Sequence, residues 1–472
     1  MQTANNFRQR SSEALDNPQI RRNFRLAMDG LMMKRRAGLP DPKEREQLRT
    51  QCAGIRVNAL SKLPDLLEQL EENCTRNGIR VHWAESVDEA NGIVLNIMQQ
   101  HNAIRMIKGK SMVSEEMELN HFLEDHDIEC LESDLGEYIV QIAGETPSHI
   151  IAPAIHKNRH EIADLFRQKF PDIPFEEDPE ALARSARRIL REKFHKADVG
   201  LSGVNFAVAE TGTLCLVENE GNGRMCTTVP PVHIAVTGIE KVVAKLSDIP
   251  PLLNLLVRSA TGQHISTYFN MITSPRKEGE KDGPREVHLV LLDNGRSRIY
   301  EDEELINTLR CIRCGACMNH CPVYGRIGGH AYGSTIPGPI GSVVEPQKIG
   351  LDKLGELPTA STLCGACGEV CPVRIPLPDL LNRLRFEGVS NRNDGSVEGQ
   401  GTQRKTGEAL IWKGWSWIHS QPILYRLAMR TATRLRSLMP KRLGPWTDVR
   451  KPPRIAAKTL HELSREEGFD NE

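Results

Sequence analysis

Residues 311–324 read "CIRCGACMNHCPVY", and residues 361–373 echo them as "STLCGACGEVCPV". The first run has the spacing C-x2-C-x2-C-x3-C-P, with Cys311, Cys314, Cys317 and Cys321 followed by Pro322. Three thiolates two residues apart can wrap one face of a cubane cluster. The fourth, set off by an extra residue and a proline, points elsewhere, and in two-cluster ferredoxins it ligates the other cluster. Applied here, this crossing assigns Cys311, Cys314, Cys317 and Cys371 to a first [4Fe–4S] cluster, and Cys321, Cys364 and Cys367 to a second. The second run lacks its first cysteine, because Ser361 stands three residues before Cys364. Three readings follow. The second cluster is a [4Fe–4S] whose last iron is held by the Ser361 oxygen, water or another side chain; or a [3Fe–4S] needing no further ligand; or it draws a ligand from afar, with Cys215 and Cys226 as candidates. The first of these is the one favoured.

Structural zinc is the plainer alternative, since C-x2-C pairs also bind Zn2+. Zinc sites take four ligands in two pairs, whereas this chain carries a four-cysteine run ending in Cys-Pro and a second Cys-Pro run downstream. Iron–sulfur is the better reading. The flanks "YEDEELINTLR" and "PLPDLLNRLRFEG" have helical character, and a long Gly/Pro-rich loop separates the runs. This resembles the α-helical ferredoxin module of iron–sulfur subunits in succinate dehydrogenase and heterodisulfide reductase.

The surrounding chain has 472 residues, enough for two or three domains. Its 39% hydrophobic and 26% charged residues fit a soluble globular protein. Sixty-one Lys and Arg against 62 Asp and Glu provide no global attraction for nucleic acid or an anionic membrane. No apolar run approaches the roughly 20 residues of a membrane-spanning helix. The start has no apolar signal core, and Glu13, Asp16 and Asp29 argue against a transit peptide. These features lead to the expectation of a cytoplasmic protein whose twelve cysteines are reduced thiols.

Residues 1–58 read as a charged helical segment. From 59 to 298 helix and strand alternate. "LPDLLEQLEENCTRNG" places Leu63, Leu66, Leu67 and Leu70 on one helical face, with Gly78 as C-cap, before the strand "IRVHW". Helix "SVDEANGIVLNIMQQHN", strand "AIRMI", helix "SEEMELNHFLEDH" and strand "IECL" continue the alternation, which predicts an α/β domain with a mostly parallel sheet. The later strand patterns "PPVHIAVTGIEKVV" and "REVHLVLLDNGRSRIY" are expected in the same sheet. Residues 299–390 form the cysteine domain, 391–407 a polar, Gly-rich linker, and 408–472 a basic region with Trp412, Trp415, Trp417 and Trp446. That region is read as a helical segment docking on a partner or on the chain itself, ahead of a membrane-surface role.

Weaker signals carry little chemistry. "IKGKSMVSEE" lacks a phosphate loop's first glycine, because position 104 is Ile104; it reads as a capped βα turn. Glu210, in the loop "AETGT", is a weak catalytic candidate, since a solvated turn glutamate is commoner. His149, His156, His160, His233 and His320 form no spaced metal pair, and Cys52, Cys74 and Cys130 read as small buried apolar residues.

"KGKSMVSEEMELNHFLEDHDIECLESDLGEYIVQIAGETPSHIIAPAIH", "GVNFAVAETGTLCLVENEGNGRM" and the two cysteine runs, in that order, resemble the lactate-utilisation protein B family of iron–sulfur proteins. The resemblance spans most of the chain, including the Trp-rich tail. It implies an α/β lactate-utilisation domain related in fold to sugar-phosphate isomerases and CoA transferases, and a second run that has three cysteines as a family trait. It further implies electron transfer in a complex that oxidises L-lactate to pyruvate with two companions, proteins A and C, and leaves open a peripheral membrane or quinone-linked acceptor. Two other functions stand beside this one: an acyl- or CoA-transferase-like catalyst with a regulatory cluster module, and a relay for another 2-hydroxy acid such as glycolate.

Overall fold

The computed structural model describes residues 6–172, 177–390, 397–438, 452 and 454–468. Helices Phe7–Asp16, Pro18–Gly38 and Pro42–Leu60 open the chain, the last two starting on Asn17 and Asp41, whose side chains accept the first free backbone N–H groups. Helix Leu63–Arg76 buries Leu63, Leu66, Leu67 and Leu70, and Gly78, at φ +89°, turns the chain into the first strand.

Ten strands follow in chain order: β1 (Arg80–Ala84), β2 (Arg105–Lys108), β3 (Glu129–Glu132), β4 (Val199–Gly203), β5 (Phe206–Val208), β6 (Thr213–Glu218), β7 (Val232–Gly238), β8 (Val242–Val243), β9 (Tyr268–Ile272) and β10 (Glu286–Leu292). Six form an all-parallel sheet in the order β1-β10-β7-β4-β2-β3. Its central strands are covered on both faces, which is why "VHIAVTG" and "EVHLVLL" run nearly continuously apolar. The fold is therefore α/β with a mostly parallel sheet.

The later strands "VHIAVTG" and "EVHLVLL" lie in this sheet as expected, but the "VV" of "GIEKVV" does not: β8, β5, β6 and β9 make a second, mixed sheet. Only Val204 and Asn205 separate β4 from β5, far fewer than the dozen or so residues a parallel crossover needs. A hairpin beside β4 is also closed off, because β2 and β7 pair both its edges, so the chain leaves the sheet; Asn205 fixes the exit by donating its N–H to the Cys215 carbonyl at 2.8 Å and accepting the Val217 N–H at 2.8 Å. The helix over "SEEMELNHFLEDH" is also broken into Met112–Glu116 and Leu119–Glu124 around Glu118, which has φ +49°.

In the cysteine region, helix Arg296–Glu301 and the 3-10 turn Leu305–Arg310 precede the first run, Gly338–Ile349 lies between the runs, and Leu377–Val389 follows the second. This region shares one apolar core with the opening helices and the second sheet, containing Phe24, Leu70, Val208, Leu252, Cys314 and Leu380 together. Residues 1–403 make one compact unit and 404–472 another. Of the expected linker, 391–396 fall outside the described residues. Residues 397–403 are held in place: Val397 is buried, and Gln403 donates its backbone N–H to Gly388 and its side-chain amide to Leu351. The second unit has helices Thr406–Ser420 and Pro422–Arg434, with Trp412, Trp415 and Trp417 more than half exposed; Trp446 lies outside the described residues.

A buried ionic network ties the carboxyl-end loops of the parallel sheet to the cysteine region. Arg296, just past β10, makes two 2.9 Å bonds to the Glu116 carboxylate and a 2.6 Å bond to Glu240, past β7. Lys348, on the helix between the cysteine runs, approaches Glu116 at 3.0 Å and Glu345 at 3.2 Å. Burial works to raise the pKa of Glu240, but Arg296, Lys241 and Arg313 outweigh it and hold it near 2. A carboxylate depressed in this way stabilises the fold above its unfolded pKa of about 4.3 and ceases to do so as pH falls toward 2. Removing one partner of a buried pair costs about 3–5 kcal/mol. Glu240→Ala should therefore lower the thermal midpoint markedly at pH 7. The difference from wild type should shrink between about pH 4.5 and 2 in melts followed by circular dichroism.

Candidate metal centre

Each cysteine run is a tight reversal that only particular backbone conformations permit. In the first, Arg313 and Gly315 take φ +59° and +73°, and Gly315 starts the short helix Ala316–Asn319. The turn folds Cys311, Cys314 and Cys317 toward one point. Cys371 arrives from the second run, and the four thiols line one small cavity of about 20 Å³, walled by apolar side chains such as Ile150, Ile340 and Ile375. The second group comprises Cys321, Cys364 and Cys367; burial, and then the neighbouring sulfurs of this group, raise the Cys321 and Cys367 thiols. Cys367 is buried, Cys321 half-buried and Cys364 exposed, so this group opens toward solvent at Cys364.

Burial, and then the proximity of Cys371 and Cys311, push the Cys314 thiol up to about 12. Cys317 is driven well above its ordinary value by burial and by Cys314, Cys311 and Cys371. Cys371 is raised to about 11, burial again being the main cause. Thiols buried this deeply in an apolar cavity shed their protons readily only when a multivalent cation replaces them. The donor set thus fits a thiolate-bound iron cluster.

Backbone N–H groups already point at three sulfurs: Arg313 to Cys311 at 3.4 Å, Tyr324 to Cys321 at 3.5 Å, and Ile375 to Cys371 at 3.3 Å. Cations hold the surrounding backbone. Arg49 donates to the Cys371 carbonyl at 3.0 Å and to that of Gly368 at 3.2 Å, and Arg35 to Val370 at 3.1 Å. Lys241 donates to the Cys311 carbonyl at 2.8 Å, and the buried Arg56 to Leu309 at 3.0 Å and to Glu240. Tyr324 and Tyr332 are fully covered against the cysteines; the Tyr324 hydroxyl donates to the Ser148 carbonyl at 2.6 Å. None of these was identifiable as functional in the sequence. Arg35, Arg49 and Arg56 lie in the opening helices, some 184 to 335 residues from the carbonyls they hold.

The other candidates lie apart from the thiol groups. Glu210 sits in an exposed turn, where its carboxylate accepts the Leu246 N–H at 2.9 Å. Cys215 is buried inside β6, and Cys226 lies 3.4 Å from the Ser133 hydroxyl. Ser111 caps its helix by accepting the Ser114 N–H at 3.2 Å. His149 bonds Asn319 at 2.9 Å, His156 bonds Glu145 at 2.7 Å, and His233 bonds Ser202 at 2.8 Å. His160 is 3.0 Å from Glu177, and His320 bonds the Ala316 carbonyl at 2.9 Å. Cys52, Cys74 and Cys130 are buried. A cluster the sequence did not suggest, His101, Glu286 and His288, brings ligand-type atoms within 4.8 Å of one another, but Arg80 already pairs with Glu286 at 2.6 Å.

Comparison with known proteins bears on the same regions. Residues 67–292 match the LUD domain family, 307–375 the 4Fe–4S dicluster domain, and 383–469 the C-terminal family of lactate utilisation protein B. Lactate utilization protein B of Bacillus velezensis is 42% identical over 94% of this chain and 89% of its own length. The Bacillus subtilis protein of that name gives the same figures. An uncharacterized electron transport protein of Escherichia coli is 45% identical over 76% of this chain and 73% of its own. A solved DUF162 family protein from Deinococcus radiodurans matches 49% of this chain and 98% of its own, at 15% identity and a TM-score of 0.29. The chain binds iron–sulfur.

Hydrogen bonds to a charged donor are worth about 1.5–3 kcal/mol each. Arg49→Ala should release iron to a chelator about tenfold faster than wild type. Arg49→Lys should not restore the rate, since a single ammonium cannot reproduce the guanidinium fork. Absorbance of the iron–chelator complex gives the rate, and an unchanged rate in Arg49→Ala would show that these carbonyl contacts do not hold the site together.

Proposed function

Because this chain belongs to the lactate utilization protein B family, we propose that it is the iron–sulfur electron-transfer subunit of a cytoplasmic complex that oxidises L-lactate to pyruvate. The observation that carries this reading is the exchange of cysteines between runs: Cys371 lies with Cys311, Cys314 and Cys317, and Cys321 with Cys364 and Cys367. The first set would hold one [4Fe–4S] cluster and the second another. When bound, such clusters take up and release single electrons with little rearrangement.

Oxidation of lactate to pyruvate liberates two electrons and two protons. Two adjacent one-electron sites match that output. The oxidation itself falls to a companion protein, and this chain conducts. Cys364, at the surface, marks where a donor or acceptor would approach. Tyr324 and Tyr332 keep water from the buried side, and Arg35, Arg56 and Lys241 place positive charge beside the first group, favouring an anionic cluster there. Among the described residues no helix is long and apolar enough to cross a membrane. Companion proteins A and C are the partners this reading requires, with Trp412, Trp415 and Trp417 supplying apolar area for docking, and a quinone-linked acceptor would receive the electrons.

The test is anaerobic. Dithionite should elicit iron–sulfur electron paramagnetic resonance signals in the isolated chain, and L-lactate should elicit them only when the companion proteins are present. Reduction by glycolate but not lactate would reassign the substrate. Zinc without acid-labile sulfide would eliminate electron transfer altogether.

A further inference from the structure

The two cysteine runs share more than sequence; up to the last cysteine of each, the backbone turns and their bonds repeat, and the repeat places Ser361 where the first run has Cys311. A 3-10 turn, Leu305–Arg310, delivers Cys311; another, Leu357–Thr359, delivers the chain to Ser361. Arg313 is left-handed at φ +59° and Leu363 at +54°. Gly315 and Gly365 follow at +73° and +85°, each starting a short helix that carries the third ligand position, Cys317 or Cys367. Met318 N–H bonds the Gly315 carbonyl at 3.0 Å, and Gly368 N–H the Gly365 carbonyl at 2.9 Å. Cys321 N–H reaches back to Met318 at 3.1 Å, and Cys371 N–H to Gly368 at 3.3 Å.

The correspondence extends to the residue in question. The Cys311 sulfur accepts the Arg313 N–H at 3.4 Å, and the Ser361 hydroxyl oxygen accepts the Leu363 N–H at 3.1 Å. A cation holds each carbonyl: Lys241 on Cys311 and Arg385 on Ser361, both at 2.8 Å. A serine bonding the N–H two residues on is by itself an ordinary turn. That explains one bond, but not a non-glycine left-handed residue between positions 361 and 364, nor the matched cation at the carbonyl.

We propose that Ser361 is the fourth ligand of the second cluster. Resting on the reading that Cys321, Cys364 and Cys367 hold a cluster, this makes it a [4Fe–4S] centre with three thiolates and one oxygen. Ligation forms an iron–oxygen bond and breaks the hydroxyl O–H bond, the proton leaving to water through the side open at Cys364. No electron changes hands in this step. An alkoxide is a harder donor than a thiolate and favours ferric iron, so the second centre is harder to reduce than its cysteine-ligated counterpart would be.

The experiment uses the full chain, purified anaerobically, as wild type, Ser361→Ala and Ser361→Cys. The readouts are iron and sulfide per chain, electron paramagnetic resonance of oxidised and reduced samples, and a redox titration. The expectation is about eight irons in wild type. Ser361→Ala should lose about one and gain an oxidised-state signal of the three-iron type. Ser361→Cys should keep the full iron count, with altered reduced-state g-values and a higher potential for one centre. Wild-type iron count and spectra in Ser361→Ala would overturn the assignment, as would a three-iron signal already present in oxidised wild type. Neither result would touch the electron-transfer reading, which fails only if no iron–sulfur signal appears in any of the three proteins.

Discussion

Cys311, Cys314, Cys317 and Cys371 are packed into an apolar cavity too small for water to solvate four separated charges. Burial, and then the neighbouring sulfurs, hold the Cys314, Cys317 and Cys371 thiols protonated until something multivalent takes the protons' place. The rest of the architecture is arranged around that requirement. One of the four comes from the other cysteine run, so the polypeptide between residues 321 and 364 must return on itself. The helix Gly338–Ile349 fills the space within that return and is fully covered along most of its length.

The same requirement gives the opening helices a purpose. Arg35 and Arg49 fix carbonyls on the second cysteine run, and Arg56 fixes the turn that leads into the first, while all three add positive charge near the thiol groups. Lys241 does the equivalent from the loop after β7, and the network of Glu116, Arg296, Glu240 and Lys348 joins that end of the sheet to the helix between the runs. The α/β half and the cysteine half are thus coupled by buried charge as well as by a common apolar core. Cluster position is set by parts of the chain hundreds of residues apart. That suits a relay, whose rate depends on distances staying fixed.

What could be read from the sequence was what is encoded locally. Cysteine spacing is such a signal, since three ligands two residues apart depend on one turn of backbone. So is the alternation of helix and strand that produced the parallel sheet. The second sheet was hidden because its cause is a two-residue link after β4, a constraint on reach that leaves no mark on hydrophobic periodicity. Arg49 reads as one more charge on a polar helix, and only the folded chain sets it against the Cys371 carbonyl. Ser361 falls between these cases. Its position in the spacing raised the question, but the left-handed Leu363 and the bond to its N–H, which relate it to Cys311, are features of the backbone and not of the residue letters.

In the arrangement proposed above, the two cysteine groups hold neighbouring centres joined by exchanged ligands. Its most direct test is the spectrum of the fully reduced protein, recorded at several temperatures and microwave powers. Two paramagnetic centres sharing these runs must sense one another. The spectrum should be broadened by spin–spin interaction, integrate to about two spins per chain, and simplify to one narrow signal when Cys317→Ala removes a ligand from the buried group. Two sharp, non-interacting signals, or a single spin in the fully reduced wild type, would contradict it.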